Sequence, residues 1–462
     1  MIFLLKLKGT SAPHPVLPLL AAAVLTMALL LSGCAARQVP VTSGNGVIVD
    51  VERFPQNFRS YIPSGKENTR LLPAARQADM NARFDKLFFG PWHATRAAVT
   101  PAVAFELFGG AKANSKARGW AENLLPWTQS HWDGLVANLN RNQFPSRLDR
   151  GITVQATEVR GAPTGRPYFG NPERPGRGFP FDMFMYSALP AGMPLLMVHT
   201  SADGEWVFAE TALVSGWIRA RDVASVDAAF CGRYESGKYA AIVRDGTPVR
   251  DTAGNFLCMG NVGTVFPLLS MNSSTAEVLA PARDSQGRAV LTRAHVPSTE
   301  IVSKPAPLTP GILADIGNSL LGQPYGWGGL FGDRDCSLSL RDLFVPFGIW
   351  LPRNSAAQSK AGNFVSFSGQ GGSSKRAQLA EQGVPFATLL YLPGHIALYL
   401  GEHNGEAVMF HNMWGIRTDA GGKEGRFVVG RAVITGLQPG VERSDVKNKE
   451  GLLGRMKGFT LL

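Results

Sequence analysis

One cysteine and two histidines in the C-terminal third of this 462-residue chain have the side chains needed for nucleophilic acyl chemistry. Cys336 stands in "FGDRDCSLSLRDLFVPFG", between Asp335 and Ser337, where a glycine-rich stretch gives way to helical periodicity. Leu340, Leu343, Phe344 and Phe347 recur at i, i+3, i+4 and i+7, which predicts a helix beginning near Cys336 and kinked or ended around Pro346-Phe347-Gly348. In a helix's first turn the free N–H groups and the positive end of the dipole favour thiolate over thiol. Taken alone, a small buried cysteine at a helix start is the better reading of the same position.

The histidines shift that balance. "LPGHIALYLG" alternates as a strand with His395, Ala397 and Tyr399 on one face, and "EAVMFHN" returns with Ala407, Met409 and His411 on one face. A two-residue Asn404-Gly405 loop pairs Tyr399 with Phe410 and points the histidines to opposite faces. A three-residue His403-Asn404-Gly405 loop opposes Ala397 to His411 and brings both histidines to one face. The second register permits a relay, with His395 as base for Cys336 and His411 holding its far nitrogen. Spacing does not choose between them.

These residues must be positioned by the rest of the chain. Residues 1–33 hold Lys6, Lys8, no acid, and the apolar run "VLPLLAAAVLTMALLL" closed by "LSGC", the pattern of a secretory signal too short to span a membrane. Leu31-Ser32-Gly33-Cys34 resembles a bacterial lipobox, which implies an acylated Cys34, a membrane anchor through the N-terminal lipid and, with Ala35 next, a periplasmic, outer-membrane address. Loss of residues 1–33 leaves 44 basic and 35 acidic residues, a charge of +9 suited to an anionic polymer or lipid surface. No nucleic-acid motif is present. Cys231 and Cys258 are either a disulfide or two buried thiols.

Residues 34–52 read as a tether, 53–147 as a helical domain, and 446–462 as a tail. The runs "GITVQATEVR", "MPLLMVHTSADGEWVFAET" and "SGWIRARDV" alternate with turn signals over 148–226, and the same grammar returns over 227–285. Two such modules in tandem resemble bacterial SH3-like β-barrels; the alternative is one larger β domain. Trp206 and Trp217 are read as barrel core. A proline-rich linker, 286–310, leads to a final α+β segment, 311–445.

In that segment four blocks stand in order: Pro324 to Gly329, Asp335-Cys336-Ser337, Gly348 to Gln358, and Gly394 to Gly401. Together they resemble the NlpC-type family of papain-like cell-wall cysteine peptidases, in the branch with a helical region and two SH3-like modules. The resemblance implies a multidomain α+β protein that cleaves the γ-D-glutamyl to diamino acid bond of peptidoglycan stem peptides, with no cofactor and no metal. It makes Cys336 the nucleophile, His395 the base and His411 the orienting residue, with Tyr325 near the oxyanion. Asp335 would hold a free L-alanine amine, and Ser337 and Ser355 the α-carboxylate of D-glutamate. Capping of a helix or turn is the competing role for the two serines. Leu338 departs from the glycine common after Asp-Cys-Ser. The rival functions are an inactive wall-binding lipoprotein and an amidase or acyltransferase of the same fold.

The lipobox reading has a direct test. Cys34→Ser is expected to abolish labelling by a fatty-acid analogue and to release the protein from membranes; equal labelling of both forms would refute lipidation at Cys34.

Overall fold

The computed structural model describes residues 47–108 and 119–462, so the signal run and Cys34 lie outside the described residues. No helix among the described residues is long and apolar enough to cross a membrane. Described strands form two seven-stranded sheets and one six-stranded sheet, each with antiparallel pairings. The two seven-stranded sheets are separate, which decides for two β modules over one.

The first sheet spans residues 149–225, with strand β1 (Met185–Leu189) at its edge. Trp206 and Trp217 are buried, not in the barrel interior with Val207 and Ile218 as their core reading expected, but on the opposite face of the sheet in a cluster with Phe105, Trp127 and Leu139. The second sheet starts at Tyr239 and takes in Ala289–Pro297 and Ile301–Lys304. The stretch 286–310 is therefore not a free linker: Ala289–Pro297 pairs along its whole length with Thr275–Arg283. Ile301–Lys304 then pairs with Tyr239–Ile242, and only after Lys304 do the prolines of "KPAPLTPG" end the sheet.

The third sheet carries the histidines. In chain order its strands are β2 (Asn363–Ser366), β3 (Thr388–Leu392), β4 (His395–His403), β5 (Glu406–Ala420), β6 (Lys423–Gly436) and β7 (Gly458–Leu461), arranged β2-β7-β3-β4-β5-β6. The expected tail thus supplies an interior strand, β7, paired on both sides. Helix α1 (Cys336–Phe344) packs on β4 and β5. Leu340, Leu343, Phe344 and Phe347 are all buried in one core with Ile396, Leu398 and Phe410, on the face their spacing assigned. Pro346 ends the helix in a short 3₁₀ turn, and Gly348 takes the left-handed conformation that stops it.

Residues 53–147, expected to form a helical domain, have no core of their own among the described residues. Phe54, Phe58 and Tyr61 join the core beneath α1, Phe84 to Trp92 join that of the first β module, and Phe105 to Leu139 join its opposite side. Gln56 exchanges two hydrogen bonds with the backbone of Ile434 on the edge strand β6, and Asp50 accepts from Gly436 N at 2.9 Å. An exposed sheet edge is thereby covered. The stretch from Asp50 to Tyr61 is built into the α1 domain.

Phe58 is fully buried and its ring lies 4.9 Å from that of Phe410 on β5. Phe58→Ala is expected to cost about 3–5 kcal/mol and to lower the unfolding midpoint of the C-terminal domain, read by thermal denaturation. An unchanged transition would make the N-terminal segment an independent unit.

Candidate active site

Asp335 is buried at the N-terminus of α1 and works first as its cap: Oδ1 accepts from Leu338 N at 2.9 Å. A buried carboxylate requires a cation, and Arg353 supplies it, with Nη2 to Oδ2 at 2.7 Å and Nη1 to Oδ1 at 3.2 Å. Ser337 Oγ donates to Oδ1 at 3.0 Å and accepts from Arg353 Nη1 at 3.0 Å; Gly328 N donates to Oδ2 at 3.2 Å. Burial pushes the Asp335 pKa up, but the Arg353 charge and these hydrogen bonds outweigh it and hold the carboxylate below its usual range. Both oxygens are thus engaged by protein groups.

Arg353 reaches further, donating through Nε to Ser187 Oγ on β1 at 2.9 Å. The loop before α1 covers the same edge strand. Gly329, with φ of +97°, would place a Cβ 2.6 Å from Ala188 N, so only glycine allows the approach. The first β module therefore forms one wall of the site.

Behind α1, Arg334 joins the second module to the nucleophile loop. Its guanidinium bonds Asp342 Oδ2 at 2.7 Å and both oxygens of Asp245, at 2.5 and 2.8 Å. Leu338, the departure from the family pattern, is buried and lines a cavity of about 310 Å³ between these elements together with Leu189 and Asp342.

The hairpin that carries the histidines has a two-residue loop, Asn404-Gly405, both with positive φ, so that His403 faces Glu406. By itself that loop separates the histidines. A bulge between Tyr399 and Gly401 then slips the register by one residue, pairing Tyr399 with Met409 and Leu398 with Phe410. The expected three-residue loop is replaced by a shorter loop plus this bulge, and the outcome for the faces is the same. Gly401, at φ of +106°, takes the backbone conformation the bulge needs.

His395 Nε2 and His411 Nδ1 are 2.8 Å apart. Thr435 Oγ1 donates to Gly436 O, so it accepts from His411 Nε2–H at 3.1 Å. His411 Nδ1 is then an acceptor, His395 donates through Nε2–H, and His395 Nδ1 is left as the basic nitrogen. The backbone N–H groups of Ile396, next along β4, and of Ser337 point at the Cys336 sulfur. Burial, and then the charge of Arg455, push the His395 pKa down to about 4, against Asp335. His411, fully buried, is pushed well below the usual histidine value by burial and by His395.

Burial, and then the charge of Asp335, raise the Cys336 pKa to about 12, outweighing Arg353 and the two N–H groups. The helix N-terminus favours a thiolate, but its capping carboxylate and the desolvation outweigh that and push the thiol up. The Tyr325 phenol is raised by burial and by the charges of Cys336 and Asp335 nearby, which keeps its hydroxyl protonated. Ser355 opens a short helix whose cap is Asn354, accepting from Ala357 N at 2.8 Å, so the Ser355 hydroxyl is not spent on capping. Cys231 and Cys258 are free buried thiols, not a disulfide. Among the described residues no group of three His, Cys, Asp or Glu side chains is arranged to hold a metal.

Sequence reasoning missed Arg353, Ser187 and Thr435. Arg353 lies inside the Gly348 to Gln358 block, and the signal for it was Asp335 itself: an acid at the start of a buried helix needs a cation.

Four family descriptions match the chain. Residues 23–144 match the NLPC_P60 stabilising domain, N term; 167–219 an SH3 domain of SH3b1 type; 227–271 an SH3 domain of SH3b2 type; and 322–420 the NlpC/P60 family. Among solved structures, an NlpC/P60 endopeptidase from Photobacterium damselae subsp. piscicida is 26% identical, with a TM-score of 0.78 over 91% of this chain and 98% of that one. An NlpC/P60 family protein from Bacillus cereus is 16% identical, with a TM-score of 0.46 over 67% of this chain and 98% of that one. No curated protein matches.

A thiol held near pKa 12 alkylates slowly. Site-resolved mass spectrometry is expected to show iodoacetamide modifying Cys336 at about pH 7 more slowly than a free cysteine peptide, with a rate that climbs into the alkaline range. A fast rate already flat between about pH 6 and 8 would indicate a preformed thiolate.

Proposed function

We propose, for a chain that belongs to the NlpC/P60 family of cell-wall peptidases and carries its stabilising and paired SH3 domains, hydrolysis of the γ-D-glutamyl to diamino acid bond of peptidoglycan stem peptides. The observation that carries this reading is the hydrogen-bonded line Thr435, His411, His395, which leaves His395 Nδ1 as the basic nitrogen on the residue before Ile396, whose N–H meets the buried Cys336 sulfur. In the reaction proposed, His395 Nδ1 takes the thiol proton as Sγ attacks the γ-carbonyl carbon. The C=O electrons move to oxygen, where the Tyr325 hydroxyl donates to the oxyanion. Collapse breaks the C–N bond as His395 returns the proton to the leaving amine. Water, deprotonated by His395, then attacks the thioester carbon, the C–S bond breaks to release the acid, and His395 returns the proton to the Cys336 sulfur. His411 fixes the His395 ring through the 2.8 Å bond.

The acyl half of the substrate lies on the β1 side. Ser355 offers a donor for the α-carboxylate of D-glutamate, and Ser337 would join it by turning its one hydroxyl proton from Asp335 to the substrate. Asp335, shared with Arg353, is the carboxylate for the L-alanine amine. A preference for a free N-terminal L-alanine rests also on the β1 wall, which limits the room before the cut. Acylation of Cys34 would tether the protein to the periplasmic face of the outer membrane, and the excess of basic residues suits an anionic wall or lipid surface.

Incubation with L-Ala-γ-D-Glu-diaminopimelate, read by mass spectrometry, is expected to release L-Ala-D-Glu, and Cys336→Ala to release none. N-acetylation of the alanine is expected to slow turnover about ten-fold or more, equivalent to about 1.4 kcal/mol of lost transition-state binding. Equal rates would mean an open cleft and a hydrolase of intact wall; a different fragment mass would identify another bond.

A further inference from the structure

A second depression is linked to the His395 strand through Arg455, which lines it and bonds the carbonyl of Pro393. It has a volume of about 680 Å³ and runs between the far half of the β5–β6 hairpin, Gly415 to Arg426, and the C-terminal segment 446–455. Four cations line it, Arg417, Arg426, Lys447 and Arg455, against one acid, Asp419. Three of the cations have acid partners: Lys447 pairs with Asp419 at 2.9 Å, and Arg417 and Arg426 with Glu424 at 2.7 Å. Among the described residues Arg455 has none. Its side chain is exposed, and its Nη2 donates to Pro393 O at 3.1 Å, two residues before His395.

The backbone that presents Arg455 is fixed. The buried ammonium of Lys375 donates to the carbonyls of Leu453, Gly454 and Met456, on both sides of Arg455, at 3.1, 3.2 and 3.1 Å. Lys457 N donates to Tyr391 O on β3 at 2.9 Å, and the chain then enters the sheet as β7. A buried lysine spent on three carbonyls holds this turn in place, and the cation it offers to solvent has a backbone carbonyl but no carboxylate beside it among the described residues.

We propose that this depression is the leaving-group half of the substrate cleft and that Arg455 is a specificity-determining residue binding a carboxylate of the leaving fragment. The direction follows from the chemistry: the histidine that returns a proton to the leaving amine must have that amine on its own side of Cys336. Arg455, bonded to the turn that carries His395, is then the first cation the leaving residue meets, and a guanidinium is suited to a carboxylate. The pull of Arg455 on the His395 pKa is consistent with this proximity. A diamino acid with a second carboxylate is favoured over one without. The inference rests on the proposed hydrolysis for its direction.

Binding to the full chain carrying Cys336→Ala tests it without needing turnover. Two tripeptides are compared by calorimetry, L-Ala-γ-D-Glu-meso-diaminopimelate and L-Ala-γ-D-Glu-L-Lys, which differ by one carboxylate. The diaminopimelate peptide is expected to bind about ten-fold more tightly, a preference that added Arg455→Gln removes and Arg455→Lys largely keeps. Equal affinity of the two peptides, or a preference that persists in Arg455→Gln, would overturn the proposal. A third arm uses phosphatidylglycerol vesicles: loss of vesicle binding in Arg455→Gln with the peptide preference intact would make the face a lipid contact and equally overturn it. If the peptide preference behaves as expected while the active protein cuts neither peptide, the subsite stands and the proposed reaction fails.

Discussion

A carboxylate is buried only where cations and N–H groups meet it, and the arrangement around Cys336 follows from meeting that requirement at Asp335. Its oxygens take the cap of α1, the Ser337 hydroxyl, the Gly328 N–H and the Arg353 guanidinium. Each partner fixes something else. The cap sets where the helix begins and so where the sulfur stands. Gly328 draws in the loop that covers β1, and Arg353, held also by Ser187, binds the first β module to the site. Removing one partner of such a pair costs about 3–5 kcal/mol, because the other is left charged and dry. The module boundary is thereby part of the site.

The same logic operates on the other side of α1. Arg334 is buried between Asp245 of the second module and Asp342 of the helix, and Asn412 of β5 donates to its carbonyl at 2.8 Å. One residue thus ties the second module, the nucleophile loop and the histidine hairpin together. With Phe54 and Phe58 filling the core below, α1 is covered on all sides, and every residue from Cys336 to Phe344 is buried. The helix that offers the sulfur is held by contacts from four segments far apart in sequence.

That distribution explains what was legible in the sequence. The helix around Cys336 declared itself by apolar period and by the proline and glycine that end it, all local signals. The shared face of His395 and His411 was open, because a one-residue bulge near Gly401 moves every side chain beyond it to the other face, and a glycine five residues before the turn's end does not announce a bulge. The stretches 286–310 and 446–462 were read as linker and tail because strands of four to nine residues among prolines, glycines and charges carry little periodic signal; only pairing partners distant in sequence make them strands. The helical region was legible from its amphipathic helices, but an apolar face does not say against what it packs, and its apolar residues enter cores shared with the other domains. Arg353 and Thr435 escaped because each acts through another side chain, Asp335 in one case and His411 in the other.

The resting electrostatics bear on how the proposed reaction starts. Forming a thiolate at Cys336 adds a negative charge beside Asp335 in a dry site, and forming an imidazolium at His395 adds a positive one near Arg455; both are disfavoured, which is why thiol and imidazole stay neutral. Arg353 faces the two potential anions, Asp335 and Cys336, and cannot neutralise both. Transfer of the proton in step with sulfur attack avoids a free thiolate beside Asp335, because the negative charge passes on to the carbonyl oxygen. The depressed basicity of His395 makes it a weak acceptor from the thiol and, once protonated, a strong donor to the leaving amine. The carboxylate that positions the nucleophile thus raises the cost of ionising it, and a concerted step is the route by which one site carries both requirements.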